Sequence, residues 1–579
     1  MTANTLSRRP KSKAAAGVPQ DEQQEAIQSI LAAIDGDHGR EVLLGGFAGT
    51  GKTHSMGNLV EELGKKRRHG RPLLIGACAP THAAVAELSR KLRAYAPGVP
   101  VAARTAASML GMRMRSVAHG KSVLVPLPVH KRSKNRRYFR DYDVMLVDEC
   151  GMLDDAYIDS IRKECKANPR LFVIYAGDPG QLLPISSQAD TSTSNGLNFK
   201  RIPPIFNACS RQFILRKNRR THDDSYPILE VAQVFRDYID EHKTGVVKAD
   251  EMTAIVQRNQ QSEHRSVFMI QGRQKIIEKA IQAVKAGKGQ PEFSRILAYR
   301  NSVVQDYNFA VHRGLVDFYN PAPDRREDPF WPGEIATANE FFAAWTEQGL
   351  QLCLQGDEDY WIDELSDDIE ESEDPKEGNA KAGAGMLVSS NIVLVENNTR
   401  LDILEVESML HPVLKIECWL VSFSCVDEEV DPKSRPRLYG FLPKNPAQFE
   451  AMKSQAFADY RKARDGEEEL SRVGASGKDQ TQSERQKQAA KNGLVMQVSR
   501  DASFALSKRM WMVSRACAPI WHNYAVTFHK SQGSTIENVF LDWSDALNML
   551  WRDKTGTDYH RALYVGATRA SRKLVLCFT

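Results

Sequence analysis

Residues 41–53, Glu-Val-Leu-Leu-Gly-Gly-Phe-Ala-Gly-Thr-Gly-Lys-Thr, constrain the fold more than any other stretch of the chain. An apolar run, Val42 to Leu44, breaks at glycine, and Gly46, Gly51, Lys52 and Thr53 then fall at the spacing G-x-x-x-x-G-K-[ST]. That spacing describes a phosphate cradle. Glycines let consecutive backbone N–H groups turn toward one anion with no Cβ in the way. In such a loop the lysine reaches the β- and γ-phosphates and the Thr53 hydroxyl ligates Mg²⁺. The helix expected from Thr53 aims its positive N-terminal end at the same anion. A strand, a glycine loop and a helix in this order belong to a parallel α/β sheet. A nucleoside triphosphate is therefore the expected ligand, and the open question is what it drives.

The partner class is narrowed by charge. The chain has 579 residues, enough for roughly two to four domains, and a net charge of +5. Residues 357–377 hold twelve Asp/Glu and one Lys, so the rest of the chain carries 77 basic and 61 acidic residues, a net +16. A basic body suits a polyanion, although a merely solvated cationic surface has the same composition. Nine scattered cysteines form no C-x-x-C pair, which points away from zinc clusters and disulfides and toward a reducing compartment. No apolar run reaches the roughly 18 residues a membrane span needs. Residues 1–17, with Arg8, Arg9, Lys11 and Lys13, read as a disordered basic tail.

Further motifs follow at strand ends. Residues 20–34 form an amphipathic helix on the spacing of Ala26, Ile27, Ile30 and Leu31. Gln23 at its start either bonds an adenine or is a solvated helix opening. Strand 73–78 runs into Ala79-Pro80-Thr81-His82, at the carboxyl edge of the expected sheet, where ligands bind. Thr81 and His82 suit a phosphate there; Thr81 equally suits a helix N-cap. Residues 112–140 carry nine Lys/Arg and no acid. Met112–Ala118 and Lys121–Val125 can pair as a hairpin across His119-Gly120, either a nucleic-acid contact or a solvated loop. The buried strand Val144–Val147 delivers Asp148 and Glu149 to the triphosphate edge, one carboxylate for Mg²⁺ and one to deprotonate an attacking water. Strand 171–176 leads to Gly177-Asp178-Pro179-Gly180-Gln181, where Gln181 is a neutral γ-phosphate contact or part of a plain turn.

A second α/β alternation starts at 226: helix 226–241, strand 266–270, helix 272–286, strand 295–299 and helix 302–318. Residues 356–386 read as an acidic disordered linker. The apolar group Tyr360, Trp361, Ile362 and Leu365 inside it invites either a solubilising role or docking to the basic channel or a partner. Short alternating strands over 387–430 suggest a small β-barrel, and 445–500 a helical arm. The α/β pattern resumes at Thr527-Phe528-His529-Lys530-Ser531-Gln532-Gly533 and ends with Leu563–Ala570 and a strand over 573–578.

Taken in order, GFAGTGKT, APTHAA, the VDE triplet, GDPGQLLP, TFHKSQG and LYVGATRA resemble the motifs of superfamily 1B, RecD-like DNA helicases, and within them the Dda-like branch of bacteriophages. The resemblance covers the chain from about residue 20. It implies an α/β fold of two RecA-like P-loop domains in tandem, at 18–210 and at 211–325 with 511–579. A basic hairpin, 112–140, would be inserted in the first, and an SH3-like barrel with a helical arm, 326–510, in the second. It implies ATP and Mg²⁺, with Gln23 on adenine and Gly46, Ala48, Gly49, Thr50, Gly51, Lys52 and Thr53 around the phosphates. Asp148 would be the metal ligand, Glu149 the base and Gln181 the coupling residue, with Arg220 and Arg569 reaching in from the second domain. Thr81, His82, Thr105, His119, Thr527, His529 and Lys530 would contact DNA. The implied activity is 5′-to-3′ translocation and duplex unwinding, in DNA replication, recombination or repair. Partners would be single-stranded and forked or tailed duplex DNA, with a single-strand-binding or other replication protein as a further candidate. A monomer in the cytoplasm of a bacterium or phage host is implied, with no membrane.

Three departures qualify this. Thr105-Ala106-Ala107 stands where relatives often have Thr-Ile-His, which removes one contact beside Thr105. Cys150-Gly151-Met152 lacks a serine that often follows the carboxylate pair. The hairpin tip has no aromatic residue to stack on a base, so a translocase that displaces bound proteins with little unwinding stands beside the helicase reading.

Overall fold

The computed structural model describes residues 21–36, 40–117, 121–127, 129, 132, 136–183, 202–216, 226–240, 246–247, 249–260, 266–287, 290, 293–319, 325–340, 342–365, 385–387, 391–395, 398–426, 430–473, 501–551, 553 and 555–578. The 1–17 tail, the hairpin tip with His119, and Arg220 lie outside the described residues. The chain divides into two compact units. One comprises residues up to Tyr226 together with Arg236–Thr244; the other comprises Pro227–Phe235 and Gly245–Thr579. Its class is α/β, with an all-parallel sheet in each unit.

The first unit is organised by apolar strands buried on both faces, as parallel sheets require. Its order across the sheet is Gln212–Leu215, Glu41–Gly46, Phe172–Gly177, Val144–Val147, Ile75–Ala79 and Val101–Thr105. Successive side chains point to opposite faces. Val42, Leu44, Val144, Leu146, Ile174 and Ala176 therefore pack with helices Glu22–Asp35, Lys52–Lys65 and His82–Tyr95. Leu43, Met145, Val147, Val173 and Tyr175 fill the other face with Phe139, Ile158 and Ile161 of the segments over Phe139–Asp141 and Asp155–Ala167.

One detail differs from expectation. Gln212–Leu215 pairs in parallel with Leu43–Gly46, so the first sheet extends past residue 210. Its short run Phe213-Ile214-Leu215 supplies a sixth strand too brief to stand out in the sequence. A small two-stranded ribbon follows helix Lys52–Lys65. Arg67–Arg68 turns back on Arg71–Pro72, and Arg68 and Arg71 both bond the buried Asp143 carboxylate, which holds it in its charged form despite burial. The basic hairpin forms, Met112–Val117 antiparallel to Lys121–Pro126.

The second unit contains a five-stranded parallel sheet ordered Val267–Gln271, Ala570–Phe578, Ile536–Asp542, Ser294–Ala298 and Ala525–Thr527. Helices Arg273–Ala286 and Asn301–Tyr319 cover it through Ile276, Ala280, Tyr307, Val311 and Leu315. Helix Ala249–Gln260 was not foreseen in the sequence. Between the sheet's parts lies an eight-stranded antiparallel sheet, whose order starts at Gly385–Leu387 and ends at Ile520–His522. Its strands include Ile335–Ala338, Phe342–Trp345 and Leu438–Pro443 beside the expected ones, and among the described residues its two end strands do not pair to close a barrel. Helix Pro446–Val473 packs on it through Phe449, and a helix over 501–515 through Met512 and Val513. No helix among the described residues is long and apolar enough to cross a membrane.

The acidic segment is corrected at its start. Glu358–Leu365 is a helix, and Trp361 and Leu365 are fully buried, with Tyr360 and Ile362 packed against the same core. Apolar side chains spaced at three and four residues form a stripe that outweighs the surrounding charge, which faces solvent. The apolar group is thus committed to the interior rather than offered to a partner. Trp361 also donates its indole N–H to the Cys353 carbonyl at 2.9 Å. Trp361→Ala is expected to cost roughly 3–5 kcal/mol in this part of the chain, seen as an earlier denaturant transition in tryptophan-independent circular dichroism.

The same core holds His411, fully buried, as the neutral ring. Its Nδ1 accepts from the backbone N–H groups of Val413 and Leu414, and its Nε2 lies 3.2 Å from the Ala516 carbonyl. Burial, with a smaller push from Lys415, lowers its pKa to about 4. The folded value lies below the unfolded one, so this stability is complete above about pH 6.5 and is lost as pH falls toward 4. The loss is on the order of 3 kcal/mol at about 1.4 kcal/mol per unit. His411→Gln, which keeps an acceptor and cannot titrate, is expected to flatten the dependence of the melting temperature on pH across that window.

Candidate nucleotide site

All strands of the first sheet run the same way, so Gly46, Ala79, Val147 and Gly177 end at one edge. The strand ending at Gly46 and the strand ending at Val147 are separated by Phe172–Gly177 alone. Two strand spacings put the phosphate loop and the carboxylate pair about 9–10 Å apart. That gap suits a terminal phosphate and a water.

The loop closes tightly. Gly49 and Gly51 both have φ of 84°, in the left-handed region. A Cβ at Gly51 would lie 2.1 Å from the Gln23 Nε2, so only glycine fits. Gln23 is buried and donates that amide to the Thr50 carbonyl at 2.8 Å. Its role in the structure is to brace the phosphate loop, which goes beyond the adenine contact or solvated helix start considered from sequence. Thr50 bonds the Phe47 carbonyl at 2.9 Å and stiffens the same turn. Helix Lys52–Lys65 starts here with no side-chain cap, so its first N–H groups face the loop. The Lys52 ammonium lies over the loop, 2.7 Å from the Gly46 carbonyl and 3.1 Å from that of Phe47. Thr53 follows on the first turn of that helix.

Across the gap, Asp148 is pushed up to about 7 by burial first and by its neighbour Glu149 second, with Lys52 and Lys91 acting against both. Burial and the neighbouring like charge disfavour the charged form of Asp148, and a divalent cation relieves that. The donor set of Asp148 with the Thr53 hydroxyl therefore fits Mg²⁺, which would neutralise phosphate charge there. Glu149 sits at φ of 50°, a strained conformation for a residue with a side chain. Its carboxylate accepts from the Gln181 amide, and Gln181 is buried at the end of the intervening strand. A carboxylate at the carboxyl edge of the sheet is thus hydrogen-bonded to the next loop along.

The other sequence candidates divide. Thr81 caps helix His82–Tyr95, accepting from the Ala84 N–H at 3.2 Å. Thr105 caps Ala106–Met109 in the same way, from Ser108 at 3.3 Å. Both hydroxyls therefore do structural work at the sheet edge. His82 opens its helix, with its side chain outside the described residues. In the second unit Thr527 is buried and caps the turn at the Lys530 N–H, 3.3 Å away. Burial lowers the His529 pKa to about 4, so its ring is neutral at pH 7. Lys530 bonds the Asn339 side chain at 2.5 Å. Arg569 closes helix Thr557–Arg569, with its guanidinium on the carbonyls of Val565 and Ser534, both at 3.2 Å.

Arg236 was not foreseen. Its guanidinium lies over the Phe47 ring of the phosphate loop, 2.9 Å from the centroid. An arginine on an amphipathic helix reads in sequence as a solvated face, so no signal marked it.

Known proteins resemble the chain in parts. It is 25% identical over 227 residues to an uncharacterized protein of Acanthamoeba polyphaga mimivirus, covering 37% of this chain and 41% of that one. It is 38% identical over 80 residues to UvrABC system protein B of Acaryochloris marina, covering 14% and 11%. The chain thus spans about two fifths and about a tenth of those relatives' lengths. Among solved structures, the Pif1 helicase from Candida albicans aligns at TM-score 0.40 and 14% identity over 97% of this chain and 95% of that one. The Pif1 helicase from Bacteroides in complex with ADP-AlF3 and ssDNA aligns at 0.39 and 12%, over 96% and 92%. Residues 19–192 match the family described as an AAA domain, and residues 522–577 match that described as a UvrD-like helicase C-terminal domain.

Proposed function

We propose that the chain is an ATP-dependent DNA helicase that moves 5′ to 3′ on single-stranded DNA and opens duplexes ahead of it. The observation that carries this reading is the hydrogen bond between Glu149 and Gln181 at the edge that also holds Lys52 and Asp148. A base that reports to a neighbouring loop suits an NTPase whose chemistry is coupled to movement. Glu149 would take a proton from the attacking water as its oxygen bonds the γ-phosphorus and ADP leaves. Lys52 and the loop amides would hold the phosphates, with Thr53 and Asp148 on Mg²⁺. Arg220, which precedes Tyr226 and so falls in the first unit, and Arg569, from the second, would supply positive charge to the transition state. Closure on ATP and release on hydrolysis would drive alternating grips on the strand. The match of residues 522–577 to a UvrD-like helicase C-terminal domain supports the second half of this motor.

Thr81, Thr105, Thr527, His529 and Lys530 would then act on DNA mostly by shaping the loops whose backbone meets phosphates, since three of the hydroxyls are engaged as caps. ATP turnover measured with and without single-stranded DNA tests the coupling. Strong stimulation is expected; turnover indifferent to DNA would refute a motor. One sequence observation favours a second reading, a translocase that strips bound proteins: the hairpin turn His119-Gly120 carries no Phe, Tyr or Trp to stack on a base. Displacement of a protein block with the neighbouring duplex left intact would select it.

A further inference from the structure

Two histidines and a glutamate from three separate elements, none of them among the residues assigned above, meet inside the second unit. His312 lies on helix Asn301–Tyr319, which covers the parallel sheet. Glu334 directly precedes strand Ile335–Ala338, and His522 ends strand Ile520–His522. Those two strands pair side by side, Ala336 opposite His522. They are where the chain leaves the parallel fold for the antiparallel sheet and where it returns. Glu334 and His522 are buried, and the His312 side chain is 12% exposed.

Both imidazoles turn Nδ1 to the same carboxylate. His522 Nδ1 lies 2.8 Å from Glu334 Oε1, and His312 Nδ1 lies 3.5 Å from Oε2. One donor atom from each residue fits within 4.8 Å of the others. The carboxylate is oriented from behind. The Tyr524 hydroxyl donates to Oε1 at 2.8 Å, and the Trp331 backbone N–H to Oε2 at 3.3 Å. Trp331 also stacks on the His312 ring, and Phe330 lies against His522. This is an outer shell of the kind that fixes metal ligands.

A hydrogen-bonded clasp accounts for His522 at 2.8 Å, whereas His312 Nδ1 stands 3.5 Å from Oε2, too long for a well-formed hydrogen bond. Zinc binds imidazole nitrogen and carboxylate oxygen at about 2.0–2.2 Å, so two ligands of one tetrahedral ion sit roughly 3.3–3.5 Å apart. The His312 Nδ1–Oε2 spacing has that value, while His522 Nδ1 lies on the other oxygen, Oε1, and the two imidazoles, stacked with centroids 4.2 Å apart, have to splay for both nitrogens to share one ion. Two imidazoles and one carboxylate, with a fourth position left for water, are a donor set for zinc and similar ions. We propose that His312, Glu334 and His522 bind one divalent transition-metal ion, which staples both connecting strands to the helix Asn301–Tyr319.

The test uses the full chain, stripped with a chelator and then titrated with Zn²⁺ or, separately, Co²⁺. One equivalent of zinc is expected to remain through gel filtration, with a melting temperature higher by several degrees. Cobalt is expected to give the visible d–d absorption of a nitrogen–oxygen site. His312→Gln and Glu334→Gln should each lose the bound equivalent and the cobalt band, with far-ultraviolet circular dichroism compared without metal to check folding. Should a variant fail to fold, wild-type stoichiometry and the cobalt spectrum still decide. No stoichiometric zinc, no cobalt band and no thermal shift would overturn the proposal in favour of a hydrogen-bonded clasp. Metal retained equally by both folded variants would overturn it too.

Discussion

Lys52→Ala is expected to lower ATP turnover by roughly 10²–10³-fold, the loss typical of removing one preorganised electrostatic donor. The reason lies in the loop. The Lys52 ammonium is held over the carbonyls of Gly46 and Phe47, within the curve formed by the left-handed Gly49 and Gly51. It is the side-chain cation at the start of a helix that has no side-chain cap, so the substitution removes charge without a substitute. The fold should survive, because Lys52 is only partly buried and the strand and helix around it are held by Val42, Leu44, Leu59 and Leu63. Steady-state phosphate release, with circular dichroism as a control on folding, reads the effect. Turnover within a few-fold of the unaltered chain would mean the loop is not the hydrolytic site.

Glu149→Gln is expected to cost roughly 10²–10⁴-fold in turnover, the usual contribution of a general base. Nucleotide affinity should stay within a few-fold. The amide replacing the carboxylate still offers an oxygen to the Gln181 Nε2, so the link between the two loops is kept while basicity is lost. Removing one of two adjacent carboxylates also relieves the like charge that raises Asp148, so that group should titrate lower in the variant. Equilibrium binding of a fluorescent ATP analogue and single-turnover hydrolysis separate the two effects. Loss of binding together with turnover would assign Glu149 to holding the nucleotide instead.

Much of the candidate site's placement was legible because its residues sit at strand ends, where an apolar run stops at a residue of distinct chemistry. Val144–Val147 stopping at Asp148 is readable without any tertiary contact. Gln23 was visible as a position, but not as a brace, because its use depends on the absent Cβ of Gly51 only 2.1 Å from where its amide sits. The Thr81 hydroxyl carried two meanings in sequence, cap or contact, and it caps; Thr105 and Thr527, expected only as DNA contacts, cap as well. Trp361 was hidden by its acidic neighbours, since charge density dominates composition while a four-residue stripe decides burial. Gln212–Leu215 was too short for periodicity to separate a strand from a loop. His312, Glu334 and His522 are joined only by the pairing of two strands nearly 200 residues apart, which no local pattern encodes.

Hydrolysis at this edge is expected to drive movement along DNA in one direction. Unwinding of a duplex with a 5′ single-stranded tail, measured beside one with a 3′ tail and with ATP turnover followed in both, tests it most directly. ATP-dependent strand separation from the 5′ tail, abolished by Lys52→Ala, is the predicted result. Separation from the 3′ tail alone, or equal separation without ATP, would contradict it.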